Sequence, residues 1–322
     1  MGETMRAALF DRYGPPEVLY EGRVPKPVAG PGEVLVRVHA VSVNGGEVHG
    51  RAGRVRLVTD LTQRGFPKRM GLDFAGEVVA LGAGVNGPAV GDRVWGVLGR
   101  STFGSAAEYV AVRPRRIALA PAGLDPVQAV TLPAGTTAIT ALRDKARLRA
   151  GERLLVRGAA GGVGSVAVQL GRAFGAHVTG LAGARNLDFV RDLGADEVFD
   201  YRTTGPGDLG RFDVVLDTAG TASGAYRRLL RPGGRMVAIA FDVDRLAASL
   251  SYIAASAVFG PRRVRFFSGD PTHRLFADLT RYVESGAVRP VVDTVFPLAD
   301  IAGAHRALEA GGVRGKHVVR VL

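Results

Sequence analysis

Apolar and polar residues alternate over the first third of the chain, and the period changes near Asp125. Between Glu33 and Val43 the residues Val34, Val36, Val38 and Ala40 fall on one face, which predicts a strand. Further short strands are predicted over residues 6–10, 75–81, 92–97, 107–112 and 116–120. Turns separate them at Gly30-Pro31-Gly32, at 82–88 and at Val90-Gly91-Asp92. Short strands with regular turns predict a small barrel. Residues 48–70 follow neither period and read as an excursion near a cleft. From 126 to 148 the apolar spacing is helical. Strands at 153–156, 177–181, 197–199, 213–216 and 235–240 then alternate with helices at 163–174, 186–193 and 222–230. That alternation predicts a doubly wound parallel sheet. The chain closes with a helix over 272–285, a strand over 288–295, a helix over 298–310 and a β tail over 316–322. The fold class is therefore α/β. A β-rich domain spans 1–125, a domain of alternating strands and helices 126–268, and 269–322 returns to the first.

Composition narrows the chemistry. A length of 322 residues suits two domains. There is no cysteine, so disulfides, thiolate catalysis and cysteine-built metal sites are excluded. The net charge of +12 raises nucleic acid as a partner. However, only Lys26, Lys68, Lys145 and Lys316 are lysines, and the arginines are scattered. The densest group, Arg262, Arg263 and Arg265, alternates with Val264 and leads into Phe266 and Phe267, which suits a strand. Nucleic acid is not the expected partner. No apolar run is long enough to span a bilayer, and no signal peptide is read, so a cytoplasmic protein without a membrane partner is expected.

The strongest motif is Leu154-Leu155-Val156-Arg157-Gly158-Ala159-Ala160-Gly161-Gly162-Val163-Gly164. A strand precedes it and a helix follows. Gly158, Gly161 and Gly164 stand where a tight turn, close approach of a pyrophosphate and close helix–strand packing exclude side chains. The amides that open the helix suit phosphate. An NAD site places an acid at the end of the second strand to bond the ribose. Here that segment reads Gly180-Leu181-Ala182-Gly183-Ala184-Arg185-Asn186, and the first acid is Asp188, inside the next helix. A carboxylate repels a 2′-phosphate and a guanidinium pairs with it, so Arg185 points to NADPH.

With these residues in view, the chain resembles the medium-chain dehydrogenase/reductase superfamily, in its zinc-free quinone oxidoreductase branch. The resemblance rests on the opening strand ending at Phe10 with Gly14 after it, and on Ala40-Val41-Ser42-Val43-Asn44. Gly71-Leu72-Asp73-Phe74-Ala75-Gly76-Glu77-Val78, Val90-Gly91-Asp92-Arg93-Val94 and Ala107-Glu108-Tyr109 carry it further, as do Leu132-Pro133 with Thr137-Ala138 and Gly315-Lys316-His317-Val318. It implies a GroES-like β-barrel catalytic domain, a Rossmann domain and a homodimer, which an edge-to-edge pairing of residues 262–267 would suit. Zinc-containing relatives carry Cys near Asn44 and Gly-His-Glu near Gly71-Leu72-Asp73, and both features are missing. His39, Glu47, His49 and Asp73 lack metal-site spacing. The resemblance implies that Asn44 and Thr137 flank the nicotinamide, and that Gly161, Gly162 and Val163 face the pyrophosphate. Tyr201 matches a position against the adenosine phosphate. Phe241 and Phe267 are candidates to line the cofactor cleft.

The implied reaction is hydride transfer from NADPH to a quinone or an α,β-unsaturated carbonyl, with a small-molecule substrate. A biosynthetic enoyl or ketone reductase and a non-catalytic NADPH-binding protein are the alternatives. Tyr13 and Tyr109 are candidate proton donors without a motif behind them, so no catalytic residue is assigned.

Overall fold

The computed structural model describes residues 2–99, 103–240 and 264–322. The chain packs into two units. The first comprises Met1–Pro133, Asp270–Ser285 and Pro290–Leu322, and the second Ala134–Gly269 with Gly286–Arg289.

The first unit opens with β1 (Thr4–Phe10), β2 (Leu19–Pro25) and β3 (Val34–Ser42). Helices α1 (Gly45–Arg51) and α2 (Arg56–Thr62) follow, then β4 (Lys68–Arg69), β5 (Asp73–Leu81), β6 (Arg93–Val97), β7 (Tyr109–Val112) and β8 (Ile117–Leu119). A short α3 (Pro126–Ala129) ends this run. The second unit carries α4 (Gly135–Ile139), β9 (Arg153–Arg157), α5 (Gly162–Ala173), β10 (His177–Ala182), α6 (Leu187–Asp192) and β11 (Glu197–Asp200). It continues through β12 (Phe212–Asp217), α7 (Ser223–Arg227), β13 (Leu230–Ala238) and β14 (Val264–Phe266). The chain then returns to the first unit with the helix His273–Glu284, β15 (Val292–Pro297), the helix Ile301–Ala310 and β16 (Lys316–Arg320).

In the first unit, β3 is the hub. It pairs antiparallel with β5, β7 and β16. The seven-stranded sheet runs β15-β16-β3-β5-β6-β8, with β7 also on β3, beside a three-stranded sheet ordered β2-β1-β4. Val34, Val36, Val38 and Ala40 are all fully buried, as their alternation requires. Phe10, Phe74, Val78 and Val94 pack with them. Gly76 belongs to this crossing of β3 and β5, because a Cβ there would sit 2.1 Å from the Arg37 carbonyl oxygen.

In the second unit, six parallel strands run β11-β10-β9-β12-β13-β14. The strand order reverses direction between β9 and β12, and ligands of such sheets bind beyond the carboxyl ends of the strands at that point. Leu154, Leu155, Val156, Val214, Val215 and Leu216 are fully buried, so both central strands read as unbroken apolar runs.

Several elements differ from the sequence pattern. The helical spacing over 126–148 resolves into α3, α4 and a wider π turn over Thr140–Ala146. Pro133 lies between α3 and α4 and cannot continue a helix. The helix expected over 222–230 is only α7, and Leu230 already pairs with Phe212 as the first residue of β13. The excursion over 48–70 contains α1, α2 and β4, and β2 was not legible in the pattern.

The first unit also buries charge away from its strands. Arg51 on α1 is 1% exposed and donates to Glu309 on the helix Ile301–Ala310. One turn earlier on that helix, His305 is fully buried. Burial, and then the Arg51 charge, pull the His305 imidazole down to about 3. The unfolded chain protonates this histidine near 6.5, so it binds more protons than the native state between about 6.5 and 3. Stability therefore falls as pH drops through that window, by on the order of 4 kcal/mol at its lower end. Urea unfolding should show a steep acid decline in the native protein and a shallower one in His305→Leu. Parallel acid limbs in the two proteins would refute this.

Candidate active site

The cofactor loop follows from β9 and α5. Gly158 has φ +70°, and a Cβ there would meet Thr218 Oγ1 at 2.3 Å, so both the left-handed turn and the neighbour exclude other residues. A Cβ on Gly164 would lie 2.0 Å from the Gly158 carbonyl oxygen, which lets α5 pack hard against the turn. Gly161 differs, because its nearest neighbour would be 3.6 Å away. It is the α5 N-cap, and Gly161, Gly162 and Val163 are half-buried, with the first-turn amides beside them. An open Gly surface over helix amides fits a pyrophosphate.

Arg157 closes β9 and Asp217 closes β12, the two strands at the reversal of strand order. Their side chains are 7% and 0% exposed, and Arg157 Nη1 lies 2.7 Å from Asp217 Oδ1. Asp217 also accepts from the Ala219 and Gly220 amides and from Ser223 Oγ. Arg157 donates to the Thr221 carbonyl oxygen and stacks 3.7 Å from the Tyr226 ring centre. This clamp ties the glycine turn's strand to the loop after β12. Sequence reading missed it, since no local pattern marks a pair of residues sixty apart.

Arg185 is exposed in a short 3-10 turn that leads into α6. β10 and β11 pair in parallel with Ala182 opposite Asp200, so residues just past each strand share one edge. A Cβ on Gly183 would sit 3.6 Å from Tyr201 Cε1 and 4.0 Å from Arg202 Nη1. The Arg202 guanidinium lies 5.4 Å from the Tyr201 ring centre. Arg202 was not singled out in the sequence, although the β10–β11 register could have found it. The nearby Asp200 carboxylate accepts from the Arg202 amide. Thr137 is half-buried on α4, and its hydroxyl would lie 3.1 Å from a Cβ at Gly269. Phe267 is half-buried, and Phe241 lies outside the described residues.

In the first unit, Asn44 sits at the α1 N-cap position but does not cap the helix. Its Nδ2 instead donates to Glu47 Oε1 at 2.8 Å, to Asp73 Oδ2 at 3.2 Å and to the Ser42 carbonyl oxygen at 3.2 Å. Its Oδ1 accepts from Lys316 Nζ. Asp73 is 2% exposed and accepts from Ser42 through both backbone amide and hydroxyl, at 3.0 and 2.7 Å. Lys316 Nζ lies 3.7 Å from Asp73 Oδ2. Glu47 is buried beside Asp73. Desolvation, reinforced by the Asp73 charge, pushes its carboxyl up to about 8, so it is a neutral acid at pH 7. Of the two candidate donors, Tyr13 has its hydroxyl engaged elsewhere. Tyr13 donates to Asp60, with burial and that bond raising its pKa, and the Lys26 ammonium stands 4.2 Å over the Tyr109 ring.

Comparison with known proteins decides the family. Residues 30–122 match the alcohol dehydrogenase GroES-like domain and residues 193–319 the zinc-binding dehydrogenase family. A mitochondrial NAD(P)H oxidoreductase of Danio rerio is 32% identical over 99% of this chain and 92% of its own. The chain belongs to the medium-chain dehydrogenase/reductase superfamily, in its quinone oxidoreductase branch. An Arabidopsis thaliana chloroplastic NADPH-dependent alkenal/one oxidoreductase is 33% identical over 98% of this chain and 80% of its own. The structure of the quinone oxidoreductase from Coxiella burnetii superposes with a TM-score of 0.90 at 31% identity, covering 99% of this chain and all of the other. The GroES-like and Rossmann-type folds expected from the sequence are thereby confirmed, and an NAD(P)H-linked oxidoreductase is the activity class. This member of the superfamily has no cysteine. Among its described residues no group of three or more His, Asp or Glu could hold a metal ion.

Glu47 gives the site a pH signature. The folded protein keeps the Glu47 proton up to about 8, whereas the unfolded chain releases it near 4.5. Stability contributed by this group is therefore full below about 4.5 and is lost as pH rises toward 8. Glu47→Gln should flatten the fall in the urea midpoint between about pH 5 and pH 8. A wild-type midpoint that is level across that range would contradict a neutral buried Glu47.

Proposed function

We propose that the protein reduces a quinone or an α,β-unsaturated carbonyl with NADPH as hydride donor, without a metal ion. The observation that carries the cofactor choice is the cluster at the ends of β10 and β11. Tyr201 and Arg202 lie against Gly183 there, Arg185 follows two residues later in an exposed turn, and β10 ends without an acid. Two guanidinium groups and a phenol suit a 2′-phosphate. The Asp200 carboxylate near them is turned onto its own chain at the Arg202 amide. The residues proposed to meet the pyrophosphate are Gly158, Gly161, Gly162, Val163 and Gly164. Those proposed to meet the nicotinamide remain Asn44 and Thr137, and Phe267 a candidate lining residue.

When bound, NADPH would supply two electrons and one proton as hydride to an electron-poor carbon of the acceptor. The residues of this chain orient the reactants and fix the polar surroundings. The negative charge left on the acceptor oxygen is taken up with a proton from water. Acceptors that spread charge into an oxygen need no strong acid, and of the two tyrosines considered as donors Tyr13 already donates to Asp60. Two of the relatives named above support the acceptor class by name, the alkenal/one oxidoreductase of Arabidopsis thaliana and the quinone oxidoreductase from Coxiella burnetii. A homodimer is also proposed. β14 is the last strand of its sheet among the described residues, and Val264–Phe266 belongs to the segment expected to pair with its copy.

Titration of the purified protein with NADPH and NADH, followed by nicotinamide fluorescence, tests the reading. NADPH should bind the more tightly. Arg185→Ala and Arg202→Ala should each weaken NADPH by about 10- to 100-fold, the range of a charge-assisted phosphate contact, and leave NADH unchanged. Equal affinity for the two nucleotides would remove the 2′-phosphate assignment. Binding of neither would bring the non-catalytic reading forward.

A further inference from the structure

The Asn44 amide is a group whose shape does not decide its orientation. Rotating it by half a turn exchanges Oδ1 and Nδ2 with almost no change in volume, so only its neighbours select one arrangement. Here they are of two kinds. Lys316 Nζ can only donate. Glu47 Oε1, Asp73 Oδ2 and the Ser42 carbonyl oxygen accept on the other side. In the reversed orientation an NH2 would face an ammonium, and a carbonyl oxygen would face the Asp73 carboxylate and the Ser42 carbonyl oxygen, with the Glu47 proton as its one donor there.

Lys316 is itself held in place by the backbone. It is the first residue of β16, and the Val43 amide donates to the next residue, His317, at its carbonyl oxygen. The preceding Gly315 has φ +67°, and a Cβ there would sit 2.4 Å from the Val291 carbonyl oxygen. The side chains of Lys316 and Asp73 are 6% and 3% exposed, so their attraction is little screened by water. Glu47 stays neutral in this company and does not draw the ammonium away from Asn44.

We propose that Lys316 is a positioning residue that acts through Asn44. Its ammonium, anchored by Asp73, fixes the direction of the Asn44 amide and with it the polar surface the first unit offers to the nicotinamide. The proposal rests on the reading of Asn44 as a nicotinamide contact.

The test uses the full-length protein, 15N-labelled and saturated with NADPH, with Lys316→Met as the variant. The Asn44 side-chain NMR signals, identified by their loss in Asn44→Asp, report the amide directly. In Lys316→Met those hydrogens should exchange with water at least about tenfold faster, and kcat should fall about tenfold with the KM for NADPH within about threefold. Lys316→Arg, which keeps the cation, should restore much of both. Unchanged Asn44 exchange in Lys316→Met, or a kcat that falls only with the folded fraction, overturns the proposal. If Lys316→Met does not fold, Asp73→Asn/Lys316→Met removes both buried charges, and the same two readouts decide. If the wild-type protein neither binds nor oxidises NADPH, the proposed function fails. The exchange of the Asn44 amide in the nucleotide-free protein then still decides whether Lys316 orients it.

Discussion

A carboxylate taken fully out of water must be met by donors on every side, and each unit of this protein places one at the end of a strand near its candidate site. Asp217 ends β12 and Asp73 begins β5, and neither is more than 2% exposed. Asp217 is met by two backbone amides, a serine hydroxyl and Arg157, and Asp73 by one backbone amide, a serine hydroxyl, the Asn44 amide and Lys316. Removing one member of such a group strands a buried charge, at a cost of about 3–5 kcal/mol. The surrounding loops therefore have little freedom. The glycine turn after β9 and the loop after β12 are held together through Arg157. The segment from Ser42 to Glu47 is held to Asp73 and Lys316.

The arginine content takes on a different meaning in this light. Many guanidinium groups reach backbone carbonyls where a helix or loop ends. Arg235 bonds the Ala146 and Arg147 carbonyls and clasps Glu152 with two bonds, at the point where the π turn stops and Arg147 turns left-handed. Arg265 reaches Lys145, Arg93 reaches Leu124, Arg211 reaches Arg228, and Arg6 reaches Val321. A planar group with five donors suits this task, because it can join a helix end, a carboxylate and a loop at once. Much of the positive charge is thus engaged in internal hydrogen bonds, which agrees with its scatter along the sequence.

What could be read from the sequence was what repeats locally. The alternation in β3, the apolar runs of β9 and β12 and the glycine spacing at 158, 161 and 164 each express a short-range rule, and each is found in place. The parallel sheet around β9 followed from the alternation of β and α. Elements stabilised from outside were not legible. β2 contains Gly22 and Pro25 and is mostly exposed or half-exposed, yet it pairs along its whole length with β1. α1 and α2 are only seven residues each, too short to set a period, and were read only as an excursion. The polar partners of the site were the least accessible. Asn44 and Lys316 lie 272 positions apart and meet because β16 pairs with the end of β3. Arg202 meets Gly183 because β11 lies beside β10. Both contacts follow from sheet register, which a local pattern does not contain.

The same register bears on the chemistry the protein can support. The first unit's polar cluster contains one carboxylate, one ammonium and one neutral acid, and its hydrogen bonds run mostly inward. Such a cluster is a fixed set of dipoles. It does not readily give up a proton, because ionising Glu47 would bury a charge out of water and set it beside that of Asp73. A reaction that requires a strong acid at the acceptor is poorly served by this arrangement. Hydride addition to a quinone or enone is well served, since the developing charge is delocalised before any proton arrives. Under the proposed function, orientation supplies the catalysis and the buried aspartates keep the orienting groups still.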